Sequence, residues 1–591
     1  MYRKLSACGL RALFLVGVSG VSLTAAEAAD IYSSGSLKDG PAFVSYDWTG
    51  FYAGTNSGGV VGTGKVTDPF GPSIYGDNVT SPSSMFGGQI GYNRQMNKWV
   101  VGVEADADWA GSDGRNTCLA RSGDYVSADC RVKTNALGTL AGRLGYAAGP
   151  EGRTLVFAKG GGAWTSNRVS VVNNHQFEGG EVTNTTNFNA WGWMVGGGVE
   201  HALTPRWSVK AEYNYLDFGD NTIAYPASTL GTPTPLTLTT VPAGTTKIGE
   251  QEHVFKVGVN YHVGAVGPDW GGAYTSPFDL FGGAASTKDA APASPGWSFD
   301  FGARYWASTG KFVWDVKQEN KTNISRLTYS GLDGNSGELF ARVDTPYNVY
   351  VKGTVGLGAI NSGKEHDEDW AIGSGTLSDP YIPYSNTVSN EGNGTLGYAT
   401  ADVGFTYLRG TDYRVGPFVG YSYLTQGFDS RGCVQIAVGG CVPPEPTSVL
   451  VGSQTGEWNA VRLGASADYS LGYGFRLTTD AAWLPTASFK GRDNHLLRTH
   501  TTYSDQKVDN GQGVELEAIL SYDFSNRLNL GLGGRYWAMW GDGTFTDTDY
   551  SQSPVTTAGH RERISTERYG LLVQGSYKLD SMPEPLPKSL K

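Results

Sequence analysis

The stretch Trp207-Ser208-Val209-Lys210-Ala211-Glu212-Tyr213-Asn214-Tyr215 decides how the rest of the chain is read. In extended backbone, Trp207, Val209, Ala211, Tyr213 and Tyr215 fall on one face and Ser208, Lys210, Glu212 and Asn214 on the other. The next clear instance sets Val101, Val103, Ala105, Ala107 and Trp109 against Glu104, Asp106 and Asp108. A soluble sandwich turns its apolar face inward, so charges gathered on one face beside strand-end aromatics fit a strand with lipid outside and a polar lumen inside. Unpaired charges in a narrow lumen are costly, so Lys210 and Arg143 are expected to pair with Glu104 and Asp106. The barrel they line is then plugged by its own side chains.

Extended along the chain, the same alternation gives about eight strands over residues 48–263, with tight turns such as 96–98 and 203–206 and longer polar loops between them. It stops over 264–296, where Ala290-Ala291-Pro292-Ala293-Ser294-Pro295-Gly296 reads as a linker. It resumes over 297–580 with about ten strands. There Phe299, Phe301 and Tyr305 oppose Asp300 and Arg304, and Leu528, Leu530 and Leu532 oppose Asn529 and Arg535. Short turns fall at 409–412 and 471–474. The fold class expected is all-β, two transmembrane antiparallel β-barrels in tandem. One barrel of about eighteen strands is the competing architecture, against which the Pro-rich linker argues.

Arg3, Lys4 and Arg11 flank an apolar run that ends at Val21, and Ala26-Glu27-Ala28 follows, so residues 1–28 read as a secretory signal peptide. No later stretch offers the roughly 18 apolar residues of a spanning helix. With 84 glycines, 12% aromatic and only 39% hydrophobic residues, the composition fits short strands and turns better than a helical enzyme core. A net charge of -11 carries no basic footprint for nucleic acid. The chain is therefore placed in a Gram-negative outer membrane, in contact with its lipid and lipopolysaccharide.

Cys118 with Cys130, and Cys433 with Cys441, are close in sequence and even in number, which suggests two local disulfides in an oxidising compartment. Their spacing contains no Cys-x-x-Cys element, so no metal site is assigned. Gly541-Asp542-Gly543 with Asp547 and Asp549 lacks the closing spacing of a calcium loop and reads as a solvated outer loop. Residues 581–591 form a C-terminal tail, and no cofactor is implied.

Two acid-rich motifs are expected on the extracellular side. His366-Asp367-Glu368-Asp369-Trp370 opens a loop expected over 361–395, and Gly491-Arg492-Asp493-Asn494-His495 follows the strand containing Trp483. Positions four strands apart in a ring of about ten face each other across its mouth. Asp493 and His495 share a face, so the carboxylate can orient the imidazole and stabilise its charged form. Asp367 and Asp369 also share a face, where close carboxylates tend to hold a proton between them. Water between the two pairs could lose a proton to His495 and attack a peptide carbonyl.

These two motifs resemble the Asp-x-Asp-Trp and Asp-x-His elements of the omptins, ten-stranded outer-membrane endopeptidases. Ser325-Arg326-Leu327-Thr328-Tyr329 and Tyr413-Arg414-Val415-Gly416 before Gly420-Tyr421 support the resemblance over most of 297–579. It implies an endopeptidase acting on polypeptides outside the cell, with Asp367 and Asp369 as acid couple, Asp493 and His495 as base dyad, and lipopolysaccharide as a candidate activator. Where many omptins place a further acid two residues before the dyad, this chain has Gly491, so dibasic specificity is not carried over. The first half resembles alphaproteobacterial porin-family and outer-membrane immunogenic barrels. Trp48-Thr49-Gly50-Phe51-Tyr52-Ala53-Gly54, Phe86-Gly87-Gly88-Gln89-Ile90-Gly91-Tyr92 and Ala211-Glu212-Tyr213 carry that likeness, which implies surface structure. The alternatives to a protease are a silent structural or adhesive surface protein and a diffusion pore.

Overall fold

The computed structural model describes residues 46–263 and 296–580, apart from 70–77, 121–126, 149–151, 174–181, 203, 234–235, 318–322, 373–381, 410–412, 438–439, 473, 498–501, 526 and 550–555. The expected signal peptide, the linker up to residue 295 and the tail at 581–591 lie outside the described residues.

In the first half, β1 (Gly50–Val66), β2 (Asn78–Met96) and β3 (Trp99–Trp109) lead into β4 (Gly114–Ala120) and β5 (Ser127–Ala148). There follow β6 (Thr154–Asn173), β7 (Val182–Ala202), β8 (Trp207–Tyr225), β9 (Ser228–Pro233), β10 (Leu236–Val241) and β11 (Gly244–Val263). β3 pairs with β5, and β11 returns to β1 through Phe51↔Val263, so β1, β2, β3, β5, β6, β7, β8 and β11 close into a ring. β4 lies on β5, and β9 and β10 form a hairpin of their own.

The second half runs β12 (Ser298–Lys317), β13 (Asn323–Asp344), β14 (Val349–Ile372), β15 (Ile382–Phe405) and the short β16 (Leu408–Arg409). Next come β17 (Tyr413–Gln435), β18 (Glu445–Gly472), β19 (Phe475–His495), β20 (Thr502–Asp523), β21 (Leu528–Asp549) and β22 (Thr556–Asp580). Apart from β16, these close into a second ring when β22 pairs with β12, from Ser298↔Asp580 to Lys317↔Arg561. Closure satisfies the backbone donors and acceptors that lipid would leave unpaired, and it abolishes sheet edges.

Side chains sort as the alternation requires. In the first lumen, Lys159 Nζ lies 2.8 Å from Glu104, 2.9 Å from Glu212 and 3.5 Å from Asp106. Lys210 reaches Glu104 at 2.9 Å, Lys256 reaches Asp106 at 2.8 Å and Asp108 at 3.0 Å, and Arg143 pairs with Glu200. The three carboxylates Glu104, Asp106 and Glu212 therefore face ammonium groups. Room for large lumen side chains comes from opposite glycines: a Cβ on Gly91 would sit 2.4 Å from the Tyr52 ring, and one on Gly356 would sit 2.1 Å from Tyr398.

In the second barrel the lumen is layered. Near the short turns, Arg304, Glu338, Glu517 and Arg535 form an ion network. Above it, Trp306, Tyr398 and Trp537 pack edge to face, and Phe312, Tyr329, Phe428 and Phe489 form a further aromatic layer. Large exposed apolar residues on β14 are Val349, Val351, Val355 and Leu357, close to the short turn. The other half of the strand therefore projects beyond the lipid belt.

Three expectations are corrected. The second acid motif does not follow the strand containing Trp483 but lies on it, since β19 runs on to His495. The region 361–395 is not one long loop: β14 continues to Ile372 and β15 begins at Ile382, so the first acid motif lies on a strand. Likewise 541–549 belongs to β21, where Asp542 accepts from Lys317 at 3.0 Å and faces Arg563 at 3.3 Å. In each case charged residues extend the ladder because it stands outside lipid and is paired on both sides.

The alternation is not continuous along the walls. Lys352 and Ile360, both even-numbered, face the lumen low on β14, whereas Glu365 faces it above; register breaks separate Ser330 from Asp333 in the pairing with β13. On β19, Asp480 and Leu484 face inward below breaks at Leu484/Ala487 and Ala487/Phe489, and Phe489 and Asp493 face inward above them. A break of this kind reverses the phase of side chains along a strand.

Candidate active site at the mouth of the second barrel

β14 and β19 stand four strands apart in the second ring, through β15, β17 and β18. Asp367 is ten residues beyond Leu357, the last large exposed apolar residue of β14, and Asp493 is ten beyond Trp483 on β19. At about 3.3 Å rise per residue and a tilt of about 40°, both stand about 25 Å past the belt, at matching heights.

On β19 the buried Asp493 places Oδ2 3.0 Å from Nε2 of His495, whose side chain is 26% exposed. The ladder explains the contact: both are on one face of an extended strand, paired as Gln454↔Asp493 and Gly452↔His495 with β18. From β13, the Tyr329 hydroxyl donates to Asp493 Oδ1 at 3.4 Å. On β14, Asp367 and Asp369 take the same face as Glu365, which hydrogen-bonds to Ser430 and Tyr329 and feels the charge of Asp493. The site thus has one wall of Glu365, Asp367 and Asp369, an opposite wall of Asp493 and His495, and an aromatic floor.

Glu365 lies above the belt, and burial, then the neighbouring Asp493 charge, pushes its carboxyl up to about 7. Glu391 of β15 is pushed to about 9 by burial and by Glu365. At neutral pH this corner therefore stores protons next to the Asp493–His495 pair. Glu365 and Glu391 are not singled out by the sequence, and Tyr329 enters only within the stretch 325–329 that carries the family resemblance; Glu365 is accessible by stepping two residues back from Asp367, whereas nothing local marks Glu391.

The remaining residues of the first motif point away from the lumen. His366 Nδ1 is 3.3 Å from Asn386 Oδ1, and burial lowers its imidazole to about 4. Glu368 accepts from Tyr384 at 2.7 Å, and Trp370 stacks on Tyr384 with centroids 6.1 Å apart. Cys118–Cys130 and Cys433–Cys441 are both bonded, with Cα atoms 5.5 and 5.7 Å apart.

Residues 17–233 match a family described as outer membrane protein beta-barrel domain. The 22 kDa outer membrane protein of Rhizobium leguminosarum bv. viciae is 30% identical over 186 residues, covering 31% of this chain and 69% of that protein. The chain belongs to this outer membrane β-barrel family. The 31 kDa outer-membrane immunogenic protein of Brucella melitensis is 29% identical over 219 residues, 36% of this outer membrane protein and 88% of the relative. Residues 307–566 match a second family, described as Protochlamydia outer membrane protein. Among solved structures, the outer membrane protease OmpT from Escherichia coli aligns over 49% of this chain and 99% of its own, at 14% identity and a TM-score of 0.41. Outer-membrane location and lipid contact follow from the two family matches together with the two closed barrels.

Proposed function

We propose that the second barrel of this outer membrane protein is an endopeptidase that hydrolyses polypeptides at the cell surface. The observation that supports this best is the 3.0 Å contact between His495 Nε2 and Asp493, in a mouth whose other wall carries Asp367 and Asp369. With Nε2 engaged by the carboxylate, proton abstraction falls to Nδ1, and Asp493 stabilises the imidazolium that forms. Water held between the walls gives a proton to His495 while its oxygen bonds to the peptide carbonyl carbon. As the tetrahedral species collapses, the C–N bond breaks and the leaving amine takes a proton back. Asp367 and Asp369 orient the water and share a proton. No residue of this set needs a metal or cofactor, and lipopolysaccharide is an activator to be tested by addition.

The test is peptide-library cleavage by refolded full-length protein, read by mass spectrometry with and without lipopolysaccharide. His495→Ala should reduce kcat about 10²–10⁴-fold, the usual worth of a general base, without loss of the barrel. Cleavage unchanged by His495→Ala would refute the assignment. The second reading, a silent surface protein, draws on the first barrel's likeness to an outer-membrane immunogenic protein and a 22 kDa outer membrane protein, whose names carry no catalytic activity. It predicts no cleavage by the wild type under either condition.

A further inference from the structure

The strand that carries Asp367 and Asp369 has a second face, and on that face Glu368 is buried against Thr117 of the first barrel. Arg326 on β13 pairs with Glu368 on β14 and with Asp315 on β12 in the ladders, and all three side chains point out of the second lumen. Outward residues at this height would ordinarily meet water. Instead Arg326 and Glu368 are fully buried.

Two of the groups that cover them come from β4 and β5 of the first barrel. Thr117 Oγ1 donates to Glu368 Oε2 at 2.9 Å and accepts from Arg326 Nη1 at 3.2 Å. Asp129 Oδ1 lies 2.8 Å from the same Nη1, and Arg326 Nε donates to Asp315 at 2.5 Å. Tyr384 supplies the second bond to Glu368, and Asn386 in turn donates to Tyr384 at 2.7 Å. A fully enclosed guanidinium and carboxylate hold their place only while such partners stay in register, because a buried charge that loses its partner cannot turn to water.

Thr117 and Asp129 are each next in sequence to a cysteine of the Cys118–Cys130 disulfide, and both cysteines are themselves buried. The bond therefore ties together the two first-barrel residues that touch the back of the site wall. We propose that Arg326 and Glu368 are positioning residues, which fasten the wall bearing Asp367 and Asp369 to the first barrel at Thr117 and Asp129, with Cys118–Cys130 holding that anchor in place. The first barrel is then a working part of the site. Its effect on cleavage rests on the protease reading; the fastening itself does not.

The experiment separates the two. Hydrogen exchange over residues 364–370 is measured in refolded full-length wild type, in Thr117→Val/Asp129→Asn and in Cys118→Ser/Cys130→Ser, with Cys433→Ser/Cys441→Ser as control. Exchange in this segment should rise about tenfold in the first two variants and stay unchanged in the control. On a peptide that the wild type cleaves, kcat should fall about 10²-fold with KM unchanged, as expected of a misplaced catalytic group. Exchange unchanged in both variants, or raised exchange with kcat intact, would overturn the proposal. Raised exchange in a protein whose wild type cleaves nothing would leave the fastening established and remove the protease.

Discussion

Tyr329 on β13 donates its hydroxyl to Oδ1 of Asp493 on β19 across 3.4 Å. These strands are five steps apart round the second ring in either direction, so the bond spans the barrel between opposite walls. It sets the height of Asp493 from below, while His495 meets the same carboxylate from above. Tyr329→Phe keeps the ring in the aromatic floor and removes only the hydroxyl. A hydrogen bond of this kind contributes about 0.5–1.5 kcal/mol, so kcat should fall by up to about tenfold with KM little changed. Steady-state kinetics on the refolded variant checks it.

The acid corner gives stability a definite pH dependence. Glu365 and Glu391 ordinarily titrate at 4.5, and in the folded protein they are raised to about 7 and about 9. Below 4.5 both states hold both protons; above it the folded state keeps protons that the unfolded chain has released, so stability falls as pH rises toward 9. Each group contributes at most about 1.4 kcal/mol per pH unit within its own window. Thermal midpoints recorded from pH 4 to pH 10 should decline over that span, and Glu365→Gln should flatten the lower part.

Arg535 is almost wholly buried, 2.6 Å from Glu338 and 2.6 Å from Glu517. Arg535→Met would leave the carboxylates with Arg304 alone among the bridging cations described. Loss of one partner from a buried ion network costs about 3–5 kcal/mol. Urea unfolding followed by the heat-modifiable gel shift should register it, whereas Arg527→Met at an exposed turn should change little.

Neither barrel should conduct. Lys159, Lys210, Lys256 and Arg143 fill the first lumen with paired charge, and Trp306, Tyr398 and Trp537 cross the second. Planar-bilayer recordings should give no large steady conductance. A stable open level would mean that one of these layers is absent in the membrane.

Period two is a property of neighbouring residues, and so it was legible without coordinates. It sorted Lys210, Glu212, Glu104 and Asp106 to one face, separated two alternating regions at a Pro-rich break, and paired Asp367 with Asp369 and Asp493 with His495. What an alternating pattern does not contain is its phase across a register break. Counted strictly upward from outward Trp483, Asp493 would face outward; the breaks at Leu484/Ala487 and Ala487/Phe489 turn it inward, onto Tyr329. The meeting of Arg326 with Asp129 likewise has no local signal, because it joins residues of two barrels. The sequence by itself determined which residues share a face, since adjacent side chains of a strand must point opposite ways. Tertiary structure alone decided which way each shared face points and what lies behind it, since both depend on ladders and contacts between segments far apart in the chain.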